Sequence, residues 1–220
     1  MSEARRNAGD LARESLAAGD PVGWFEKLYV QAGGDPGAIA WADLTPNPNV
    51  VDWLDREQVN GAGCRALEIG CGLGDDAEDL ARRGFAVTAF DVSATAIDWC
   101  RRRFPGSPVE YVVADLLNPP AEWARVFDFV LESYTLQVLP PEVRDAAIRR
   151  VARFVAPGGS LLVVARGREP SDPPGTMPWP LERAELGGFG RAGLEELSFE
   201  DFPDDETPPV RRFRAVYRRR

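Results

Sequence analysis

Residues 66–76, ALEIGCGLGDD, carry an apolar run straight into three glycines at alternate positions, Gly70, Gly72 and Gly74, and then into acids and a helical pattern. Glycine at such a turn removes the Cβ that would obstruct both the tight backbone path and the close approach of a ligand to the main chain. Two chemistries use turns of this kind. A pyrophosphate site has the spacing GxGxxG and aims a bare helix N-terminus at an anion. Here the spacing is GxGxG, and Asp75, Asp76, Glu78 and Asp79 stand at that terminus. They repel phosphate and tolerate a ligand bearing a cationic amine and a sulfonium.

Two further acids follow at intervals that suit the same ligand. Asp91 ends the next apolar run, where a carboxylate accepts hydrogen bonds from two ribose hydroxyls, and Asp115 ends the one after. Singly, each reads equally well as a helix cap or a solvated strand end, and Ser93 beside Asp91 is itself a good cap. Glu68, Asp91 and Asp115 at three successive strand ends around one glycine turn form a pattern that those separate readings do not explain.

What is missing narrows the chemistry further. The chain has no histidine, which removes the commonest zinc ligand, the usual general base and every Ser-His or Cys-His nucleophile arrangement; no metal is expected. Cys64, Cys71 and Cys100 form neither an even framework nor a CxxC pair and are expected as free thiols. A net charge of −9 argues against nucleic-acid partners, whose backbones require clustered cations. The arginines at 211, 212, 214, 218, 219 and 220 are the exception, and alternation with Phe213, Val216 and Tyr217 reads as a strand with a solvated face. With no apolar stretch of membrane-spanning length and no secretory signal in MSEARRNAGDLARE, a cytoplasmic location is expected.

The positioning elements follow from periodicity. Residues 1–20 are polar and alanine-rich and read as a frayed helix or disordered arm; 21–220 read as one domain. Asp20-Pro21 starts a helix carrying Trp24, Phe25, Leu28 and Tyr29, which GGDPG at 33–37 ends, and Pro48 starts another. From residue 64, strands at 65–70, 86–92, 109–115, 127–133 and 160–166 alternate with helices at about 76–83, 94–103 and 141–155, the signature of a parallel sheet. Pro157-Gly158-Gly159 predicts a turn before the fifth strand. The stretch 167–180 is too rich in Pro and Gly for regular structure, and a short helix near 182–190 follows it. The runs 194–202 and 210–217 are too close for a crossover helix, so they pair antiparallel.

The combination of ExGxGxG at 68–74, the second-strand acid, VVAD at 112–115 and the PGG before the fifth strand resembles the class I S-adenosylmethionine (SAM)-dependent methyltransferases over about residues 64–166. The resemblance implies an α/β, Rossmann-like sheet of seven mostly parallel strands, helices on both faces and a C-terminal antiparallel hairpin. It implies SAM as cofactor, with Glu68, Gly70, Cys71, Gly72 and Gly74 at its methionine end and Asp91 with Val92 at the ribose. Asp115 is then assigned to the adenine amino group, with backbone help from Leu116. The core at 64–166 would carry this site, 21–60 a helical lid, and 167–220 a loop, short helix and edge hairpin.

A second, more local likeness suggests the acceptor. IAWADLTPNP at 39–48 resembles the entry segment of thiopurine and thiol methyltransferases, matching at Trp41 and Asp43 but with Ala40 in place of proline and a divergent Thr45. It implies a lid role for Trp41, against which simple core packing stands as the other reading. Glu132, Ser133 and Tyr134 emerge where the fourth strand ends, facing the methyl group; Glu132 or Tyr134 would orient the acceptor or take its proton, while a cap and core packing are their structural alternatives. Tyr29, Arg166 and Trp179 complete the expected acceptor pocket, with Arg166 or Arg168 available to an acceptor carboxylate. Methyl displacement from positive sulfur needs alignment more than a strong base, which favours a small-molecule thiol over an unactivated alcohol. A nucleic-acid methyltransferase fits poorly, because Asn118-Pro119-Pro120 follows the third strand rather than the fourth. A nicotinamide dehydrogenase needs the other glycine spacing. A monomer or homodimer is expected.

Overall fold

The computed structural model describes residues 2–220. Strands β1 (Arg65–Ile69), β2 (Ala86–Asp91), β3 (Glu110–Val113), β4 (Phe127–Ser133) and β5 (Val155–Arg168) pair in parallel, each within a few residues of its expected position. The strand β6 (Leu181–Glu182) is two residues long, and β7 (Leu194–Pro203) and β8 (Arg211–Arg219) form the antiparallel hairpin. The order is β3-β2-β1-β4-β5-β8-β7, with β6 pairing off the path against β5. That extra strand makes eight where seven were expected. It forms because β5 continues to Arg168, so that Gly167 and Arg168 pair with Leu181 and Glu182 across the Pro-rich loop.

Helices α1 (Glu3–Ala17), α2 (Gly23–Ala32), α3 (Pro48–Arg56), α4 (Asp75–Arg82), α5 (Ala94–Arg103), α6 (Pro141–Phe154) and α7 (Arg183–Arg191) cover the sheet. The strands alternate side chains between two faces, and both faces are apolar. Leu67, Ile69, Val130 and Leu161 pack with Ala147, Ile148 and Val151 of α6 and Leu186 and Phe189 of α7. Ala66, Val87, Leu131 and Leu162 pack instead with Trp53 and Leu54 of α3, Leu80 of α4 and Ile97 of α5.

Three sequence expectations need correction. Of the two readings of the first twenty residues the helical one holds, but the helix is docked rather than frayed: Ser2 caps α1, its Oγ accepting the Arg5 N–H at 3.2 Å, and Ala8, Leu11 and Ala12 bury against Trp24 and Leu28 of α2. Small alanines make a stripe too weak in hydropathy to read, yet flat enough for a helix to pack closely. The PGG turn is instead a bulge within β5. Val155 pairs with Phe127, the register then shifts, and Ser160 pairs with Phe129. The arginines of β8 are not a solvated face. β8 lies inside the sheet between β5 and β7, so Arg212 and Arg214 are 2% and 3% exposed and are neutralised by acids from β7, α3 and the 204–206 loop.

Candidate functional site

The register brings the expected acids to one edge. Ile69 of β1 stands level with Phe90 of β2 and Glu132 of β4, and Asp91 stands level with Val113 of β3. A cavity of about 1290 Å³ opens there, beyond the carboxyl ends of the parallel strands, and Glu68, Gly70, Cys71, Gly72, Asp91, Val92, Asp115 and Leu116 all line it. A site for one drug-sized ligand spans roughly 300–1,000 Å³, so this one has room for two molecules side by side.

The glycine turn is built as its spacing requires. Gly70, Gly72 and Gly74 all have positive φ, between 54° and 87°. A Cβ on Gly70 would lie 2.5 Å from Thr135 Oγ1 and one on Gly74 2.6 Å from the Tyr111 hydroxyl, whereas at Gly72 the nearest atom is the Tyr29 hydroxyl at 3.4 Å. Two of the glycines therefore serve packing. Gly72 keeps its open side toward the cavity, and Gly74, which caps α4, does not line it. Asp91 ties the turn to β2: one carboxylate oxygen accepts the Gly72 N–H at 3.1 Å and the other the Ser93 N–H at 2.9 Å. Burial pushes its pKa up to about 6 despite these hydrogen bonds. Asp115 accepts the Leu117 N–H at 2.8 Å through one oxygen.

Glu68 is the acid of the cavity lining with an unpartnered buried oxygen. It is 4% exposed, its Oε2 has no hydrogen-bond partner among the described residues, and burial together with the charges of Asp76, Asp75 and Asp91 pushes its pKa well above the ordinary value. An orphaned carboxyl oxygen in a cavity calls for a donor from a ligand. A cationic amine meets that need, the remaining lone pairs of Asp91 can accept ribose hydroxyls, and Phe90, Val92 and Leu116 supply apolar walls for a base. The residues present therefore fit SAM. The acids at the α4 terminus fit no phosphate: Asp76 is half-buried and desolvation raises its pKa to about 6, while Asp75 pairs with Arg103 at 2.8 Å.

Above the turn, Trp41 lies edge-on to Trp24, Phe25 and Tyr29 and donates its Nε1–H to the Tyr29 hydroxyl at 3.0 Å. Trp41 is 37% exposed and lines the cavity, whereas Tyr29 is 1% exposed and sits against the glycine turn rather than away from it. On the other side, Asn47 and Asn49 at the start of α3 reach the end of β4. The Asn47 amide donates to Ser133 Oγ at 2.9 Å, the Asn49 amide donates to the Tyr134 hydroxyl at 3.0 Å, and Asp76 accepts the Asn47 N–H at 2.6 Å. Tyr134 has a φ of 63°, in the left-handed region where few non-glycine residues stand, and the Arg212 guanidinium lies 4.9 Å over its ring. Burial raises its pKa, so it remains a neutral phenol.

Besides Gly74, two expected site residues lie outside the cavity lining. Glu132 is fully buried and outside the cavity lining; its Oε1 accepts the N–H groups of Thr135 and Leu136 at 2.8 and 2.7 Å, holding the turn that carries Thr135 under Gly70. Trp179 also stands outside the lining, its backbone N–H donating to the Gln137 carbonyl at 2.7 Å. Arg166 does line the cavity, as do Asn47, Asn49, Asp76, Gln137, Arg5 and Arg212, which were not singled out as site residues. Asp76 left a local trace among the acids after the glycine turn, and Asn47-Pro48 left one as the start of a helix. The rest are brought in by contacts across distant segments.

Residues 66–159 match the family model described as a methyltransferase domain. The chain is similar to the ubiquinone biosynthesis O-methyltransferase of Pseudomonas fluorescens, 34% identical over 128 residues, which cover 56% of this chain and 53% of that one. The protein of the same description from Aromatoleum aromaticum is 35% identical over 117 residues, covering 52% and 49%. The chain thus spans about half the length of the curated relatives it matches. These relatives are O-methyltransferases, not thiopurine or thiol enzymes.

Among solved structures, the fold is shared with the Burkholderia thailandensis 1,6-didemethyltoxoflavin-N1-methyltransferase with bound 1,6-didemethyltoxoflavin and S-adenosylhomocysteine. There the TM-score is 0.67 at 19% identity, covering 89% of this chain and 87% of that one. It is shared too with the N-methyltransferase NodS of Bradyrhizobium japonicum in complex with S-adenosylhomocysteine, with a TM-score of 0.62 at 20% identity, covering 79% and 88%. No helix among the described residues is long and apolar enough to cross a membrane.

Proposed function

We propose that the protein is a SAM-dependent methyltransferase acting on a small molecule, with oxygen as the atom methylated. The observation that carries the reading is the convergence of the orphaned Glu68 carboxyl, the Gly72 backbone, Asp91 and Asp115 on one cavity. In this reading Glu68 holds the ammonium of the methionine moiety, Asp91 the ribose, and Asp115 with Leu116 the adenine. When bound, SAM supplies a methyl group on positively charged sulfur, open to direct displacement.

The rest of the chemistry belongs to this chain. The Trp41–Tyr29 pair roofs the cofactor half and excludes water. Tyr134, whose oxygen already accepts from Asn49, keeps its own proton for donation into the cavity, so it orients an acceptor atom rather than taking a proton from it. Glu132, turned away from the cavity, positions the 135–138 turn and is not the base. Alignment of two ligands in one enclosed space supplies much of the acceleration for such a displacement. The O-methyltransferase relatives support an oxygen acceptor, and the lack of a histidine base favours an acidic hydroxyl such as a phenol or enol.

Calorimetry with SAM, S-adenosylhomocysteine and NAD in parallel, followed by a panel of phenols, thiols and amines assayed by S-adenosylhomocysteine release, tests the reading. Heat with the two sulfur nucleosides alone and turnover with phenols are expected. Turnover with thiols but no hydroxyl compound would move the acceptor to sulfur, and an absence of heat with either nucleoside would sink the reading.

A further inference from the structure

The acceptor end of the cavity carries a guanidinium, Arg166, with no hydrogen-bonded or ion-paired side-chain partner among the described residues. Every other buried or half-buried arginine among the described residues has a carboxylate or carbonyl partner: Arg83, Arg103, Arg144, Arg168, Arg211, Arg212 and Arg214 pair with acids, and Arg219 donates to the carbonyls of Val155 and Ala152. Arg166, half-buried at the carboxyl end of β5, makes no side-chain hydrogen bond or ion pair among the described residues. Its backbone is held firmly, the N–H donating to Gln137 Oε1 at 2.7 Å, so the side chain is delivered to the cavity from a rigid strand end. Arg5 of α1, likewise without a side-chain partner among the described residues, lines the same cavity. The nearby Arg212 is already engaged by Asp204 and Glu206. Burial and the charges of Arg212 and Arg5 press the Arg166 pKa down, and the opposing pull of Glu206 and Tyr134 does not cancel them. A guanidinium withdrawn from water without a partner is costly, and a chain with nine excess negative charges has acids enough to have supplied one.

Building on the methyltransferase reading, we infer that the acceptor is a small carboxylic acid with an apolar body, whose carboxylate is held by Arg166. The guanidinium fork matches a carboxylate in two parallel hydrogen bonds. Val22, Phe25, Val138 and Met177 line the cavity as well and suit an apolar body. A half-buried Arg166 beside Asp204 and Glu206, with only the exposed Arg5 as a second unpaired cation among the described residues of the lining, suits a monoanion; a dianionic phosphate would meet the repulsion of those acids.

The test uses the full chain and a panel of aryl and alkyl carboxylates, each matched with its carboxamide and its phosphate analogue, titrated by calorimetry with and without S-adenosylhomocysteine. Carboxylates are expected to bind about tenfold or more tightly than the matched carboxamides, the range for a charge-assisted pair. That preference should vanish in Arg166→Gln and persist in part in Arg166→Lys. Equal binding of acid and amide, a preference that survives Arg166→Gln, or tighter binding of the phosphate analogues would each overturn the assignment. Should Arg166→Gln fail to fold, the wild-type comparison decides alone. Titration of the nucleoside itself reports separately on the methyltransferase reading, because the carboxylate preference is also measured without it.

Discussion

Replacing Glu68 by glutamine separates the two roles that a buried acid can have. In the free protein the carboxyl is withdrawn from water beside Asp75, Asp76 and Asp91, with one oxygen unpartnered, and its pKa is raised well above the ordinary 4.5. Between those two values the unfolded chain has released this proton while the folded chain keeps it. Stability therefore falls as pH rises, by about 1.4 kcal/mol per pH unit from this site. At pH 7 the accumulated cost is at most about 3.5 kcal/mol. A glutamine side chain is neutral in both states and abolishes it, at the expense of a buried amide that costs about 1–2 kcal/mol if it finds no partner. Glu68→Gln should thus gain stability relative to wild type, by up to about 1.4 kcal/mol per pH unit, as pH rises above the ordinary carboxyl range in urea denaturation without ligand. Binding should move the other way. A cationic amine draws Glu68 into its ionised form, so wild-type affinity for S-adenosylhomocysteine should rise with pH over the same window, while Glu68→Gln binds at least about tenfold more weakly with a flatter profile. A variant whose stability relative to wild type does not rise with pH, or one that binds the nucleoside unchanged, would refute this account of the carboxyl.

Three further perturbations test other parts of the site. Gly70→Ala places a side chain at φ 61° with its Cβ 2.5 Å from Thr135 Oγ1, which donates to the Ile69 carbonyl; left-handed strain and one lost hydrogen bond predict a loss of about 2–3 kcal/mol by urea denaturation. Trp41→Ala distinguishes a lid from a core residue: a stability loss under about 1 kcal/mol with roughly tenfold weaker nucleoside binding marks a lid, whereas the loss of about 3–5 kcal/mol typical of a buried aromatic would mark core packing. Arg214→Met removes the buried guanidinium that joins Asp52, Glu200 and the Asn49 carbonyl. Because both acids retain Arg56 and are partly solvated, the expected destabilisation is about 1–3 kcal/mol, less than for a sealed pair; no change in the urea midpoint would show that this network contributes nothing to stability.

Much of the cofactor half was legible without coordinates, because its signals are local. A strand, a glycine turn and a helix follow one another within 66–82, and the alternation of strands with crossover helices admits one sheet order near that turn, so Glu68, Asp91 and Asp115 had to arrive at one edge. The acceptor half is different in kind. Whether Glu132 faces the cavity or caps the turn after it depends on where the Thr135 and Leu136 amides fall, and whether β8 shows its arginines to water depends on β5 and β7 flanking it. The α1 helix becomes ordered through contacts with α2 that its alanine-rich sequence barely advertises. Arg166 and Arg168 were marked alike in the sequence by their place at the end of the fifth strand, and nothing there told which of the two would pair with an acid. Only packing decided which guanidiniums met acids and which one was left facing the cavity, since pairing is set by distances between segments far apart in the chain, and spacing along a sequence encodes only what neighbours can reach.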